Sequence, residues 1–352
     1  MSDAPNAAPG RPLGGFGAGR VFVGVPFDYL VIGGGLSLLA LGGLKLFPGS
    51  PAWALVEDKM WTLVLLANSA HFAGSTVRLY TRRDAFQDLP LVTQVLPLAM
   101  IAALGLGLAS AGAGALLVNV YLLWSPYHYA SQTYGLSVMY ACRSGHVPAL
   151  VERRWLRLAC LLPFVHALLG ELGDFLLPAP LASSLILHTV RAQAQALLVP
   201  VTLLGSLAAL LFMSRREQPV PAIVGVLLLS NAVWLIFAGY QGVFAVSLVT
   251  VFHGLQYLAI LGVFHVRERL DETGGAWWRH AAAFYAICLV LGYLLFQVWP
   301  VGLAFFGASY AESAILAAAV INIHHFLVDG FIWKLRNDRN YAVVTQGAAL
   351  PA

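Results

Sequence analysis

Ten apolar segments, each long enough to cross a lipid bilayer, dominate this chain of 352 residues. A helix needs roughly 20 apolar residues to span a hydrocarbon core of about 30 Å. Inside that core the backbone polar groups must bond within their own segment, which favours helices. We therefore predict an all-α, polytopic integral membrane protein with about ten transmembrane helices. The segments lie near residues 27–47, 59–80, 91–110, 114–141, 156–177, 184–213, 220–239, 243–266, 281–299 and 310–334.

The composition excludes several other classes of protein. Hydrophobic residues make up 59% of the chain and charged residues 10%, whereas soluble domains carry about 25% charge. The net charge of +4 follows from the membrane topology, so we expect no nucleic-acid partner. The three cysteines, Cys142, Cys160 and Cys288, have no CxxC or CxxH spacing. That spacing argues against a disulfide framework, a zinc knuckle and a c-type haem.

The distribution of Lys and Arg predicts the orientation in the membrane. Basic residues are enriched in cytoplasmic loops, and ten spans put almost every cluster on one side. Only Lys45 and Lys59 fall near the opposite side. We predict that both termini are cytoplasmic and that the protein is a multi-pass component of the cell membrane, here assigned to the bacterial cytoplasmic membrane. The clusters include Arg11, Arg20, Arg78, Arg82, Arg83, Arg143, Arg153, Arg154, Arg157, Arg215, Arg216, Arg267, Arg269, Arg279, Lys334, Arg336 and Arg339.

The chain divides into three regions on composition. Residues 1–24 are rich in Gly, Pro and Ala and lack the apolar core of a signal peptide, so we predict a disordered cytoplasmic tail. Residues 25–336 are predicted to form a single transmembrane helical domain. Residues 337–352 follow as a cytoplasmic C-terminal tail. The first apolar segment has no cleavage site and is interpreted as an uncleaved anchor.

Histidines inside the apolar segments indicate a functional site. His71, His128, His253 and His324 each lie about 10–14 residues into an even-numbered segment, which at about 1.5 Å per residue is close to the bilayer midplane. One intramembrane histidine is often structural, but four at one depth on four parallel helices predict a metal site. The pattern Asn-x-x-His-Phe occurs at 68–72 and 322–326, which matches His325 with His71. It stays open whether His324 or His325 is the ligand.

Polar residues at helical spacing are candidates to orient these histidines. Asn68 is three residues before His71, and Gln132 is four residues after His128. Asn322 occupies the position of Asn68 in the repeated pattern. Ligand histidines usually donate their second N–H to such acceptors.

Two further residues are candidates for catalysis. Asp329 is four residues after His325, where we expect it to support that ring as well. Tyr257 is four residues after His253 and is predicted to donate a proton or a hydrogen bond.

Arg191 lies deep in a span, where a charge is costly. It is predicted either to pair with Glu171 or Asp174 or to contact a haem propionate or a substrate headgroup, which makes it a candidate cofactor-binding residue.

The donor set narrows the metal chemistry. Histidine ligands with few carboxylates suit Fe(II), copper or zinc. Zinc hydrolysis normally needs a nearby glutamate base, as in HExxH, and the sequence has none. Non-haem iron is therefore the expected cofactor, with haem b or copper as alternatives. A site at the midplane predicts an apolar small-molecule substrate from the bilayer, and an electron donor is a further expected partner.

The segment His324–Lys334, with Asp329 followed by Gly330, Phe331 and Trp333, resembles the last helix of bacterial Brp/Blh-like carotene dioxygenases. Residues 70–74 resemble that family's HFG segment. The resemblance covers about 20 residues and implies a multi-helix membrane enzyme that uses histidine-bound iron to cleave a carotenoid. The family's first-helix histidine motif is absent, and His253 with Tyr257 stands where the family has His-x-x-x-His. Together with His324 and His325, this pair is also similar to the histidine pattern of haem–copper oxidases.

The leading hypothesis is a membrane-embedded, metal-dependent oxidoreductase, specifically a non-haem iron oxygenase that acts on an apolar lipid or a carotenoid-like isoprenoid. One alternative is a redox membrane protein with b-type haem or a haem–copper-like centre. The other is a proton-coupled transporter that uses the histidines as a relay.

Overall fold

The computed structural model describes residues 15–81, 85–170, 173, 184–333 and 338–345, and these are almost entirely helical. A two-residue parallel bridge joins Phe16–Gly17 to Val220–Pro221. The α-helices are α1 (Val25–Phe27), α2 (Gly35–Leu46), α3 (Pro51–Asp58), α4 (Met60–Leu63), α5 (Ala70–Thr81), α6 (Ala85–Asp88), α7 (Leu96–Ala109), α8 (Ala111–Arg143), α9 (Leu150–Leu169), α10 (Leu185–Met213), α11 (Ala222–Thr273), α12 (Trp277–Tyr293), α13 (Trp299–Ala304), α14 (Tyr310–Ile332) and α15 (Asp338–Thr345). Four π-helical segments adjoin them, at Asp28–Ile32, Val64–Ser69, Leu91–Val95 and Leu294–Val298.

Six helices in the described part of the chain are long and apolar enough to cross a membrane, and a bent pair, Val25–Ile32 with Gly35–Leu46, makes up to seven. This agrees with the predicted all-α membrane protein. Predicted segments 59–80 and 114–141 are also helical, as is segment 156–177 up to Leu169. The six are Leu91–Ala109, Leu185–Met213, Ala222–Tyr240, Phe244–Thr273, Trp277–Ala304 and Tyr310–Ile332.

Helix α11 is one run of helical residues that reverses direction. Ser230 Oγ donates to the carbonyl of Gly33 at 3.1 Å, and Gln256 Nε2 donates to the carbonyl of Ile32 at 2.6 Å. In a straight helix these two side chains would start about 39 Å apart, yet they bond to adjacent residues. The halves Ala222–Tyr240 and Phe244–Thr273 therefore lie side by side, in the two places where the sequence predicts separate spans.

The four helices that carry the candidate metal ligands pack against one another. Helix α14 contacts both α5 and α8, and α11 contacts the same two helices. Most of α14 and of each half of α11 is buried, whereas α10 and the segments Leu91–Ala109 and Trp277–Ala304 expose most of their apolar residues. The bundle formed by α5, α8, α11 and α14 is thus the interior of the protein, with apolar surface for lipid around it.

The chain is described from residue 15 onward, and residues 15–24, part of the predicted N-terminal tail over 1–24, pack against the bundle. Phe22 is fully buried, and the guanidinium groups of Arg143 and Arg267 lie 4.4 and 5.6 Å from its ring centroid. The Asp28 carboxylate accepts hydrogen bonds from the backbone N–H groups of Phe22, at 2.6 Å, and of the next two residues. A Gly-rich composition predicts disorder, but it does not reveal these anchors. Residues 1–14 lie outside the described range.

The C-terminal region also packs onto the bundle. Helix α15 falls in the predicted C-terminal tail, and its Val344 is fully buried. Arg143 donates to the carbonyl of Val344 at 3.2 Å, and Arg267 donates to the carbonyl of Val343 at 3.1 Å. The same two arginines therefore hold the N-terminal segment and α15 against the ends of α8 and α11.

Two glycines allow neighbouring helices to touch the π-helical turn Val64–Ser69, which directly precedes α5. A Cβ on Gly254 of α11 would lie 2.8 Å from the carbonyl oxygen of Ala67. A Cβ on Gly292 of α12 would lie 2.7 Å from the carbonyl oxygen of Ser69. Because Gly254 follows His253 and the turn leads into His71, this close contact sets the relative position of two candidate ligands.

Candidate metal centre

The imidazoles of His71, His128, His253 and His325 form a closed ring of contacts inside the bundle, which we call the histidine ring. Each comes from a different helix: α5, α8, α11 and α14 respectively. Centroids of neighbouring imidazoles are 5.1 Å apart for His71–His253, 5.1 Å for His253–His128, 4.9 Å for His128–His325 and 4.8 Å for His325–His71. All four side chains are buried. The structure thus brings together one histidine from each of the four predicted helices.

The ring nitrogens converge. Nε2 of His128 and Nε2 of His325 are 3.2 Å apart, and ligand atoms of His71, His128 and His325 all lie within 4.8 Å of one another. Two imidazole nitrogens that each bind one ion at about 2.1 Å are about 3.0–3.4 Å apart for angles between right-angled and tetrahedral. The His128–His325 pair has the separation of two adjacent ligands.

His71 is held in the tautomer that a metal ligand needs. Its Nδ1 lies 2.6 Å from the backbone carbonyl oxygen of Asn68. A carbonyl only accepts hydrogen bonds, so Nδ1 carries the proton and Nε2 of the neutral ring carries a lone pair. Among the described residues this buried Nε2 has no hydrogen-bond partner.

His325 is held in the same tautomer by a hydrogen bond to a side chain of α5. Its Nδ1 lies 2.8 Å from Ser75 Oγ, and that hydroxyl donates to the carbonyl of Phe72 at 2.9 Å. Because the serine proton is already used, Ser75 Oγ must accept from Nδ1–H of His325. The lone pair of His325 therefore sits on Nε2, which faces His128.

Ser75→Ala is expected to weaken metal binding by about 10–100-fold, the usual effect of removing a group that orients a ligand histidine. Titration of metal-free protein against a competing chelator measures this change. Thr76→Val is the matched control, because the Thr76 hydroxyl contacts the same Phe72 carbonyl, at 3.4 Å, but belongs to the next residue. Equal affinity in Ser75→Ala and the unaltered protein would show that Ser75 does not set the tautomer of His325.

His253 is the most isolated polar group of the ring. Both of its nitrogens are buried and have no hydrogen-bond partner in the described part of the chain. Its ring packs against that of Tyr129 at a tilt of 37°, with ring centroids 4.2 Å apart. A buried polar atom without a partner costs about 1–3 kcal/mol, and His253 is not among the three histidines whose ligand atoms lie within 4.8 Å of one another.

Asp329 faces the Nε2 atoms of two of the histidines. Its Oδ2 lies 3.6 Å from His325 Nε2 and 3.8 Å from His128 Nε2. Its Oδ1 accepts a 2.6 Å hydrogen bond from the Tyr257 hydroxyl, which in turn accepts a 3.3 Å bond from Trp333 Nε1. The sequence predicts that Asp329 supports His325. Its carboxylate lies near Nε2 of that ring, whereas Nδ1 contacts Ser75.

The other predicted orienting residues have different partners. Asn68 supports His71 through its backbone, while its side-chain oxygen has no hydrogen-bond partner among the described residues. Gln132 donates to Gln256 Oε1 at 2.7 Å. Asn322 donates to the carbonyl of Ala318, one turn earlier in its own helix, at 2.7 Å.

Of the two adjacent histidines on α14, the structure places His325 in the ring. His324 is half-buried, and its imidazole is not among the described aromatic contacts of the ring. Adjacent residues on a helix point about 100° apart, so only one of them can face the ring.

Arg191, on α10, contacts the C-terminal end of α9. It donates to the carbonyls of Leu169 and Gly170, at 3.0 and 2.5 Å. These bonds satisfy backbone acceptors left over where α9 ends. Glu171 and Asp174, its predicted ion-pair partners, are outside the described residues.

A cavity of about 500 Å³ adjoins the histidine ring. His128, Asp329 and Tyr257 lie on its wall, and it extends along α8 and α14 to Arg153 on α9. Most of the other lining side chains are aromatic or aliphatic. The arrangement can therefore bring an apolar ligand up to the histidine ring.

Sequence reasoning missed Ser75, Gln256 and the cavity. Ser75 is four residues after His71, so its helical spacing would have placed it on the same side of α5 as the ring. Its partner, however, is on α14, and nothing in the sequence pairs the two. Comparison with protein-family models, with curated proteins and with solved structures finds no match to this chain.

Proposed function

We propose that this chain is a membrane-embedded, metal-dependent oxidoreductase, specifically a non-haem iron oxygenase that acts on an apolar lipid or isoprenoid. The observation that carries the proposal is the histidine ring: four buried imidazoles from four helices, with the lone pairs of His71 and His325 fixed on Nε2. Imidazole is the commonest metal ligand. Ligands that are already oriented by second partners are typical of metal sites.

The donor set supports iron. Four neutral imidazoles with one carboxylate nearby suit a divalent transition metal such as Fe(II), with copper as the closest competitor. When bound, iron supplies redox chemistry with O₂. The adjoining cavity, lined mostly by aromatic and aliphatic side chains, suits an apolar substrate for that chemistry.

The packing of the ring favours an ion over haem. A haem with two axial histidines places a wide macrocycle between them, whereas each imidazole here directly contacts two others, with Tyr257 and Phe72 also against the rings. A proton relay is less favoured as well. It would need titratable groups spaced along the membrane normal, whereas the four imidazoles are grouped together at one position.

The surrounding residues have separate roles in this proposal. Asp329 can hold or deliver a proton beside the ion, since Oδ2 faces the ligand nitrogens. Tyr257 orients that carboxylate through its 2.6 Å bond to Oδ1. The aromatic side chains of the cavity position an apolar substrate. An electron donor completes the expected set of partners.

We further propose ten spans with both termini in the cytoplasm, in a bacterial cytoplasmic membrane. Contacts between the ends of the even-numbered spans support this topology. Arg143 and Arg267, which follow the fourth and eighth spans, both donate to the backbone after the tenth. Arg216, after the sixth, donates to the carbonyl of Val147, between the fourth and fifth. These ends therefore meet on one side, and their arginines indicate the cytoplasm.

Isotope labelling tests the proposed reaction. Iron-loaded protein in lipid nanodiscs is incubated with a lipid extract and ¹⁸O₂, and the lipids are analysed by mass spectrometry. We expect ¹⁸O in a defined lipid product, and none with His325→Ala. Iron-loaded protein that incorporates no label from any isoprenoid or acyl lipid, even with a reductant, would refute the oxygenase.

A further inference from the structure

We infer that the cavity beside the histidine ring binds a single-chain lipid with an anionic headgroup, and that Arg153 and Arg157 bind the headgroup. The inference rests on the proposed function only for what happens to the lipid after binding. The binding itself depends on the shape and charge of the cavity, which can be tested without any metal.

The length of the cavity indicates one extended chain. Its lining along α8 runs from Trp124 to Met139, which is about 22 Å at 1.5 Å per residue. Its volume of about 500 Å³ falls within the usual range of ligand pockets, roughly 300–1,000 Å³. Spread over that length, the mean cross-section is about 22 Å², which admits one hydrocarbon chain at a time. A two-chain phospholipid would not fit inside.

The positive charge on the cavity wall lies near the start of α9. Arg153 is exposed there and lines the cavity, and its Nε donates to the carbonyl of Pro148 at 2.9 Å. His128 and Asp329 line the cavity at the histidine ring, and the rest of the wall includes Trp124, Phe326 and other apolar side chains. An anionic headgroup is attracted by Arg153, so the apolar end of the lipid points to the ring.

A second arginine lies beside the cavity wall. Arg157 lies one turn after Arg153 on α9, on the same face. Its guanidinium donates to the Tyr127 hydroxyl at 3.4 Å, and Tyr127 also lines the cavity. Guanidinium groups bind carboxylate and phosphate oxygens with paired hydrogen bonds. Both carboxylate and phosphate headgroups suit this end, and a neutral ester does not.

Binding of radiolabelled oleate to metal-free protein in detergent tests the inference. We expect saturable binding of about one oleate per chain, displaced by oleyl phosphate if phosphate is also accepted. Methyl oleate should compete about tenfold less well, since charge-assisted hydrogen bonds are lost. The double variant Arg153→Gln/Arg157→Gln should weaken oleate about tenfold without changing methyl oleate.

Two glycine variants separate the cavity from the lipid-facing surface. Gly135 lines the cavity, and a Cβ there meets nothing within 4 Å, so Gly135→Leu should fill the cavity without a backbone clash. Gly105, on α7, also has open space around its Cβ, but it is exposed and is not among the lining residues. Gly135→Leu should lose oleate binding, and Gly105→Leu should retain it. Melting curves of each variant verify folding.

Several outcomes would overturn the inference. They are equal binding of oleate and methyl oleate, uptake that does not saturate, or oleate binding that Gly135→Leu leaves unchanged. Metal content and oleate binding distinguish failure of the proposed function from failure of this inference. If the native protein contains no metal yet binds oleate in the cavity, only the oxidoreductase is refuted, and if it contains metal but binds no oleate, only the lipid inference is refuted.

Discussion

His325→Ala is expected to remove bound metal from the purified protein, whereas His324→Ala, one residue earlier, is expected to retain it. His325 contributes an Nε2 that lies 3.2 Å from that of His128 and is oriented by Ser75. His324 is half-buried on another face of α14. Loss of a ligand should exceed the 10–100-fold effect expected for an orienting residue. Elemental analysis of the two variants, purified in parallel without added chelator, measures the difference.

The pair is a strict comparison, because both changes delete one imidazole from the same turn of the same helix. Unfolding temperatures of the metal-free proteins show whether either change damages the fold. Equal metal content in the two variants would mean that His325 is not a ligand. Loss of metal only in His324→Ala would move the site to the other face of α14.

Gly254→Val is expected to destabilise the protein and to lower its metal content, while Gly262→Val on the same helix does neither. A side chain at 254 collides with the backbone of Ala67, and that backbone belongs to the π-helical turn before His71. At Gly262 a Cβ meets nothing within 4 Å. Overpacking of this kind costs about 1–3 kcal/mol. Because backbone atoms are involved, α11 must move away, and His253 moves with it.

Thermal unfolding in detergent and metal analysis of the same samples measure both effects. We expect a lower unfolding temperature and a reduced metal content for Gly254→Val only. If Gly254→Val keeps the unaltered stability, α11 does not pack directly on the turn. If it loses stability but keeps its metal, the contact supports the fold without setting the position of His253.

The location of the site could be predicted from the sequence because the relevant signals are local. Apolar segments of sufficient length predict membrane helices, and a polar side chain inside one is costly enough to indicate function. Counting residues from each segment end then put His71, His128 and His253 at similar depth. The depth of a residue in the membrane depends on its position within its own helix and does not depend on how the helices pack.

The orienting contacts could not be predicted because they join distant parts of the chain. Ser75 supports His325 across 250 positions, and Gln132 bonds to Gln256, 124 positions away. Helical spacing suggested partners within one helix, which led to Asp329 as the support of His325. The true geometry depends on how α5 and α14 face each other, and spacing within a single helix carries no information about that.

The N-terminal segment illustrates the same limit. Its composition is typical of a disordered tail, yet Phe22 is buried between two guanidinium groups from α8 and α11. Those arginines were interpreted only as markers of orientation. Their role in holding the segment follows from the packing of the helix ends.

X-ray absorption spectroscopy of the purified native protein, with quantification of the metal, tests the central claim most directly. We expect about one iron per chain, with scattering from four imidazole nitrogens at about 2.1 Å, close to typical metal–imidazole distances. His71→Ala, His128→Ala, His253→Ala and His325→Ala should each change this spectrum or abolish it, and His324→Ala should not. A native protein without bound metal, or with a metal whose spectrum is unchanged in all four variants, would contradict the proposed metal centre.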